Sequence, residues 1–306
     1  MTLDVVIVAY RSDDVIRRLV EVSRELPDVD CVVVVDNGDG CSAAVAEGMG
    51  ARAIRRPDNP GFGAGQNAGV AATSAPFVLL LNPDAVPVAS GISAGRQYLA
   101  AHDDVAAVQG AIVNDSSGAA ERSQGIELGP LHLWGRALGL RRLARWGPVR
   151  RLAATSRLRD HVERAVATPT DVETLAATAL LVRRSAFDEV GGFDERYFLY
   201  GEDLDLCRRW RRARWRLVAL PSQFARHQSG ASSAGWWERE LVWWNGTMQF
   251  AARWWRPWAW VSAVGAAVTR WFGLSLSRPS GTGEAWRSVV MSGVSLRRGR
   301  DLEHSL

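Results

Sequence analysis

Lysine is absent from the 306 residues, so arginine supplies all 37 basic side chains. Cysteine is scarce, and Cys31, Cys41 and Cys207 show no C-x-x-C spacing, which argues against a disulfide framework and a zinc knuckle and fits a reducing cytoplasm. The first 30 residues lack the basic start and apolar run of a signal peptide, which predicts that the chain is not secreted. Hydrophobic residues at 47% and charged residues at 23% exclude a fibrous or wholly disordered chain.

Tryptophan is absent before Trp134, so all 14 tryptophans lie in the second part of the chain. Residues 1–133 carry 9 Arg against 17 acids (9 − 17 = −8), whereas residues 134–165 carry 9 against 2 (9 − 2 = +7). This asymmetry predicts an α/β domain over residues 1–235, with an Arg-rich helical insertion at 134–166, and a Trp- and Arg-rich helical region over 236–306.

Short, continuous apolar runs alternate with helical patterns, as in parallel strands that are buried on both faces. The pattern predicts a Rossmann-like, mostly parallel sheet flanked by helices. The predicted strands are residues 4–9, 31–35, 51–55, 77–81, 105–113 and 178–182, and the predicted helices are 12–26, 61–72 and 91–101.

Polar residues follow two of these strands. Asp36 and Asn37 come after one, and Asn82, Pro83 and Asp84 come after another. Ligands of such sheets bind beyond the carboxyl ends of the strands, so these residues are candidate ligand contacts. Asp84 could hold a hard divalent cation through oxygen, or Asn82 or Asp84 could instead cap the next helix.

Two further motifs could carry chemistry. Asp58–Gly69 (DNPGFGAGQNAG) precedes a helix, and its glycines would allow close approach to a phosphate or would form a structural turn; its spacing is not the G-x-G-x-x-G of dinucleotide sites. The segment 191–215 crowds Asp194, Glu195, Glu202, Asp203 and Asp205 among apolar side chains. Such acids are candidates for a raised pKa and general-base work, or they could simply enrich a helix N-terminus.

In their order, VVIVAY, VVVVDN, NPGFGAGQN, LLLNPDA, LLVRRSAFDEVGGFDERYFLYGEDLDLCRR and the later P-x-x-x-x-x-H resemble family 2 inverting glycosyltransferases of the GT-A fold. The resemblance covers residues 3–233, and it is greatest to bacterial rhamnosyltransferases of cell-wall and surface-polysaccharide synthesis.

The resemblance implies roles at individual positions. Asp203 would be the catalytic base with Glu202 beside it, and Asp84 with His227 would bind Mg²⁺ or Mn²⁺. Asp36 would bind the nucleotide base. The implied donor-binding positions are Tyr10, Asp36, Asn59, Gly61, Gly65, Asn67, Asn82 and Asp84.

The sequence departs from the family pattern at two places. Asn82 stands where the family often has an acid, which lowers the negative charge of the expected metal site. Ala177 and Thr178 replace a common Gly-Ala pair, which adds bulk near the expected acceptor pocket.

The implied reaction is the transfer of a sugar, with L-rhamnose from dTDP-L-rhamnose ranked first, to a glycan or polyprenyl-diphosphate-linked sugar. A galactofuranosyl or other UDP-sugar donor is the alternative. Two readings belong to other classes: a non-catalytic scaffold on a membrane surface, and a nucleic-acid binder, which would leave the acidic motifs without a role.

The C-terminal region predicts contact with a membrane surface. Residues 206–306 carry 16 Arg against 5 acids and 12 Trp, and the apolar stretch Pro257–Thr269 has 13 residues, fewer than the ~20 of a spanning helix. We expect a peripheral protein on the cytoplasmic face of the plasma membrane. We also expect Trp210 and Trp215, but not the dense run from Trp236 to Trp271, to close the core of the α/β domain.

Overall fold

The computed structural model describes residues 1–121, 123–139, 166–227 and 236–275, without the side chains of 236–238 and 273–275. The strands are β1 (Leu3–Ala9), β2 (Val29–Asp36), β3 (Arg52–Arg55), β4 (Phe77–Leu81), β5 (Ala85–Pro87), β6 (Val105–Asn114), β7 (Gln124–Gly125), β8 (Thr170–Asp171), β9 (Thr174–Leu175), β10 (Ala179–Arg183) and β11 (Arg216–His227). The helices are α1 (Asp13–Arg24), α2 (Cys41–Gly48), α3 (Phe62–Ala71), α4 (Ala89–Ala101), α5 (Pro130–Ala137), α6 (Arg184–Glu189), α7 (Glu202–Arg212), α8 (Trp236–Trp254) and α9 (Pro257–Ser275).

One large sheet has the strand order β3-β2-β1-β4-β10-β6-β11-β5, with β8 paired to β11. The first four strands in that order run parallel to one another, as the apolar runs predict. The expectation of a mostly parallel sheet holds for six of the nine strands, because β6 and β11 pair parallel and run in the same direction as these four. Strand β10 lies antiparallel between β4 and β6, and β5 and β8 pair antiparallel with β11. The fold is therefore a mixed α/β sheet with flanking helices.

Alternation along β1 separates the two sides of the sheet. Val5 and Ile7 belong to one buried cluster, whereas Val6 and Val8 belong to the other. This is the period of two that a strand imposes on its side chains. Because helices cover both faces, every residue of β1 is buried, and the strand can consist of apolar residues throughout.

Tryptophan packs in the core of the sheet at both of the expected positions, fully buried at Trp210 and partly buried against the same cluster at Trp215. Trp210 of α7 is fully buried, and its indole N–H donates to the Ala186 carbonyl at 2.9 Å. Trp215 is only half-buried, with its indole N–H on Glu189 at 3.0 Å. An indole N–H that is buried with a partner avoids the penalty of an unsatisfied donor.

The chain divides into two compact units. The first comprises the described parts of Met1–Ile126, His161–Phe198 and Glu202–Ser233, and the second those of Glu127–Asp160, Leu199–Gly201 and Ala234–Leu306. The domain boundary expected at residues 235/236 stays a prediction. Most of the Arg-rich insertion, residues 140–165, lies outside the described residues.

Helices α5, α8 and α9 form the second unit around one buried carboxylate. Glu240 of α8 is 4% exposed and pairs with Arg136 of α5 and with Arg270 of α9, the latter at 3.1 Å. Trp244 is fully buried and donates to Glu240 at 3.1 Å, and Trp255 is also buried. These two tryptophans of the dense run therefore pack inside the helical unit, and neither belongs to the two buried clusters of the sheet.

Within the described residues, the structure contains no helix that is both long and apolar enough to cross a bilayer.

Candidate active site

The carboxyl ends of β1, β2 and β4 meet at one edge of the sheet because these strands are parallel. Tyr10, Asp36 and Asn82 follow them there. The antiparallel β10 begins at the same edge, so the Thr178 carbonyl, just before it, accepts the Asn82 N–H at 2.9 Å. Strand order therefore gathers the strand-end residues that the sequence singles out.

Glu202 and Asp203 open helix α7. The Asp203 carboxylate accepts the Leu204 N–H at 2.8 Å, and the backbone N–H of Ala177 lowers its pKa. Burial raises the pKa of Asp203, and these N–H groups oppose the rise because they stabilise the ionised form.

The neighbouring Glu202 is 4% exposed. Burial, and then the charge of Asp203, raise the pKa of Glu202 well above its usual range. Its Oε2 has no hydrogen-bond partner within the described part of the chain. The pair thus holds its protons unequally: Glu202 keeps its proton to higher pH, and Asp203 is the more readily ionised carboxyl, suited to accept a proton.

The turn that leads into β10 connects the two sets of acids. The backbone N–H of Ala177 lowers the pKa of Asp203, and the Thr178 carbonyl accepts the Asn82 N–H two residues before Asp84. The bulk expected at Ala177 and Thr178 therefore belongs to a segment whose backbone holds both motifs. Their effect on an acceptor pocket stays a prediction.

Gln109 of β6 holds this turn in place, a role that was not predicted from the sequence. The side chain is fully buried, and its Nε2 donates to the carbonyls of Ala176 at 2.6 Å and Ala179 at 2.9 Å. A glutamine inside the apolar strand VAAVQGAIV was the available signal, because a buried amide needs partners.

The structure brings Asp84 and His227 together. The His227 Nε2 lies 3.2 Å from Asp84 Oδ1, and its Nδ1 lies 2.7 Å from Glu121 Oε2. Burial lowers the pKa of His227, but the hydrogen bond and charge of Asp84, followed by those of Glu121, outweigh it and raise the pKa to about 9. Glu121 was also missed, since nothing in the loop sequence DSSGAAERSQG distinguishes it.

The Asp84–His227 pair fits a divalent cation. Neighbouring ligands of an octahedral ion with bonds of about 2.1 Å are about 3 Å apart, close to the observed separation. A carboxylate on the far nitrogen of a histidine is the usual support of a metal-bound imidazole. The buried Oδ1 of Asn82, two residues before Asp84, has no partner among the described residues and is a further hard oxygen in the same motif.

A second group in the described residues could also hold a metal. Asp13, Asp39 and Cys41 place one ligand atom each within 4.8 Å of one another. Asp39 and Cys41 are exposed, Asp39 accepts the Cys41 N–H at 3.1 Å, and Asp13 accepts the Ser42 hydroxyl at 2.6 Å. Exposed acidic groups are common without an ion, so this group is the weaker candidate.

Asp36 is tied to the protein backbone. Its carboxylate is 1% exposed and accepts the N–H groups of Gly38 at 2.8 Å and Ala43 at 2.9 Å. These bonds hold the loop after β2 and the start of α2. Contact with a nucleotide base stays a prediction for Asp36, as it does for Tyr10, whose ring is 49% exposed at the end of β1.

The Gly-rich motif packs against the acidic motif. Gly61 has a φ of +100°, and a Cβ atom there would lie 2.4 Å from the Phe198 carbonyl oxygen. At Gly65 a Cβ would lie 2.9 Å from Val8 Cγ1. The close approach that these two glycines permit in this structure is to protein rather than to a phosphate, because side chains and backbone already fill the space.

Asn67 strengthens the same contact between motifs. Its Nδ2 donates to the Phe193 carbonyl at 2.9 Å, and its Oδ1 accepts the Phe193 N–H at 2.8 Å. Asn59 sits in the preceding turn with a φ of +41°. The donor contacts expected of Asn59 and Asn67 stay predictions, and the visible role of Asn67 is to hold the loop that leads toward α7.

Known proteins that are similar to this chain in sequence or in fold are glycosyltransferases, as the order of the motifs implies. The family model described as "Glycosyltransferase like family 2" matches residues 2–246. The N-acetylglucosaminyl-diphospho-decaprenol L-rhamnosyltransferase of Mycobacterium tuberculosis is 39% identical over 92 residues, which cover 22% of this chain and 30% of that protein. The Pre-mycofactocin glycosyltransferase of the same organism is 26% identical over 289 residues, which cover 92% of this chain and 54% of that protein.

The match thus spans less than a third of the first of these relatives and about half of the second. Among solved structures, mannosyltransferase PcManGT from Pyrobaculum calidifontis, in complex with GDP-Man and Mn²⁺, aligns with a TM-score of 0.54 and 14% identity over 96% of this chain and 86% of that one. Identity that low shows the fold alone, which is GT-A-like. Because the family model matches 245 of the 306 residues, the chain belongs to glycosyltransferase family 2.

Proposed function

We propose that this chain is an inverting glycosyltransferase that moves L-rhamnose from dTDP-L-rhamnose to a glycan or a polyprenyl-diphosphate-linked sugar. The observation that carries the reaction type is the buried pair Glu202–Asp203 at the start of α7, in which the pKa of Glu202 is raised well above its usual range and the Asp203 carboxylate accepts the Leu204 N–H. The sugar and the lipid-linked acceptor are inferred from the name of the rhamnosyltransferase that matches over 92 residues, and dTDP as the nucleotide from the resemblance of the motifs to bacterial rhamnosyltransferases.

Asp203 would act as the general base. An acceptor hydroxyl attacks the anomeric carbon while the bond between that carbon and the diphosphate oxygen breaks, and the hydroxyl proton passes to Asp203. The transition state has oxocarbenium character, as in glycosidases, and a single displacement inverts the configuration. Glu202, whose raised pKa favours the protonated form, would place no second negative charge beside Asp203.

Asp84 and His227 would hold Mg²⁺ or Mn²⁺ in this scheme, with Asn82 beside them. Such an ion neutralises the charge that develops on a departing diphosphate. The Mn²⁺ named with the mannosyltransferase structure supports this choice of ion. Tyr10, Asp36, Asn59, Gly61, Gly65 and Asn67 remain our proposed donor-side positions.

A membrane surface is the proposed location of the acceptor, and α9 supports it. Trp258, Val261, Val268 and Phe272 are exposed by 68%, 60%, 40% and 62%. Their spacing of three, seven and four residues puts them on one face of the helix. An exposed apolar stripe with tryptophan and flanking arginine suits the interface of an anionic bilayer, here the cytoplasmic face of the plasma membrane.

A donor screen tests the proposal. Purified protein is heated with dTDP-L-rhamnose, UDP-galactofuranose or UDP-glucose, with and without Mn²⁺, because a ligand that binds only the folded state raises the melting temperature. Release of the nucleoside diphosphate is then measured with the donor that binds. We expect the largest shift and the release with dTDP-L-rhamnose. A UDP sugar that alone gives both would replace rhamnose, and no release with any donor would favour a non-catalytic scaffold.

A further inference from the structure

Glu121 lies directly behind the histidine of the proposed metal site. Its Oε2 is 2.7 Å from Nδ1 of His227, while Nε2 on the other side of the ring is 3.2 Å from Asp84 Oδ1. The imidazole is thus held between two carboxylates, one on the β4 side and one in the loop after β6.

Glu121 is itself fixed in position. Its other carboxylate oxygen, Oε1, accepts the Asn114 side-chain N–H at 3.0 Å, and its backbone N–H donates to the Ile112 carbonyl at 2.7 Å. The residues on either side of the turn join through a bridge between Val113 and Ala120. A carboxylate anchored at both ends cannot follow the ring if the ring turns, so it defines one orientation.

We propose that Glu121 is a positioning residue that holds His227 with Nε2 facing Asp84, ready to bind a divalent cation. This inference rests on the proposed metal site of Asp84 and His227. An imidazole binds a metal through the nitrogen that has given up its proton to make way for the ion, and an acceptor on Nδ1–H keeps the other proton on Nδ1, so that Nε2 supplies the lone pair.

Mn²⁺ binding tests the inference without any need for turnover. The affinity is measured by electron paramagnetic resonance in the presence of dTDP, and electron spin-echo modulation from ¹⁴N reports whether a histidine nitrogen binds the ion. Glu121→Leu should weaken Mn²⁺ binding about 10- to 100-fold and reduce the ¹⁴N signal. Glu121→Gln keeps an acceptor for Nδ1–H and should retain most of both.

Two further variants serve as a control and as a substitute for Glu121→Leu. Asp115→Asn removes one negative charge from an exposed position of the same loop and should bind Mn²⁺ as the wild type does. If Glu121→Leu does not fold, Glu121→Asp shortens the side chain by one methylene and should weaken binding and the ¹⁴N signal in the same direction.

The outcomes separate the two proposals. Wild-type protein that binds Mn²⁺ with a ¹⁴N signal, while Glu121→Leu or Glu121→Asp binds equally well, would overturn the role of Glu121 alone. Binding without a ¹⁴N signal would remove His227 as a ligand, and the role of Glu121 with it. If the wild type does not bind Mn²⁺ at all, the proposed metal site itself fails.

Discussion

The backbone N–H of Ala177, in the turn before β10, lies near enough to the Asp203 carboxylate at the start of α7 to lower its pKa. The next residue, Thr178, accepts the Asn82 N–H at 2.9 Å. One turn of the chain therefore orients the proposed base and the strand end that carries the proposed metal ligand. Gln109 fixes both sides of that turn through its side-chain amide.

Loss of the Gln109 amide should change the pH dependence of catalysis. Gln109→Met keeps the size of the side chain but releases the turn, so Asp203 loses support for its ionised form and its pKa rises further. We expect the acid limb of kcat/KM to move to higher pH.

Thr73→Val is the matched control, since it removes a hydroxyl that donates to the Val70 carbonyl at 2.7 Å in the same unit. The control should leave the limb where it is. A Gln109→Met enzyme that is slower at every pH, with an unmoved limb, would reduce Gln109 to a packing residue.

The buried Glu202 should make folding stability fall as pH rises. Its pKa is raised in the folded state, so the unfolded chain releases the proton first and the folded state loses stability from the ordinary glutamate pKa up to the raised one. Glu202→Gln stays neutral, so its melting temperature should exceed that of the wild type by a margin that grows from pH 5 to pH 8. The same margin at all pH values would contradict the burial argument. Glu21→Gln on the exposed face of α1 provides the comparison.

Activity should require a divalent cation through Asp84. Asp84→Ala should raise the Mn²⁺ concentration needed for half-maximal activity, because one of the two ligands is lost. Asp39→Ala removes an acid from the alternative group of Asp13, Asp39 and Cys41 and should not raise it. Full wild-type activity in excess EDTA would end the metal proposal, and a larger effect at Asp39 would move the site.

The stripe on α9 should bind anionic lipid. The triple variant Trp258→Gln, Val261→Gln, Phe272→Gln should stay in the supernatant when the wild type sediments with anionic liposomes at low salt, since apolar burial and charge attraction both contribute. Ile126→Gln, an exposed apolar residue of the first unit, is the control. Equal sedimentation of all three proteins would contradict the proposal, and a dimer lost only in the triple variant would assign the stripe to a second copy.

The sequence predicts those parts of the fold that depend on local patterns. Strands β1, β2 and β4 are found where their apolar runs predict them, because both faces of each are buried. Strand β11 was missed, since Pro221 lies within it and the pairing with β6 shifts between Ala219 and Gln223. The direction of β10 could not be predicted either, because an apolar run indicates that a strand is buried but not whether it runs parallel or antiparallel to its neighbours.

The site divides in the same way. Motif order singled out Asp84, His227 and Asp203, and the structure brings the first two within 3.2 Å. Glu121 and Gln109 act across 106 and 67 to 70 positions of the chain, so no local pattern marks them. The two hydrogen bonds of the Asp36 carboxylate could not be predicted from VVVVDN either. An acid at the end of a strand has the same sequence pattern whether it contacts a ligand or the following loop.

The turnover of Asp203→Asn decides whether Asp203 is the general base that takes the proton of the acceptor hydroxyl. Asparagine preserves the shape and can still accept the backbone N–H bonds, but it cannot take up the acceptor proton. With the donor identified by the screen, the variant should melt near the wild-type temperature and bind the donor with similar affinity. Its turnover should fall by a factor of about 10² to 10⁴. Turnover equal to that of the wild type in a folded, donor-binding Asp203→Asn protein would show that Asp203 is not the general base.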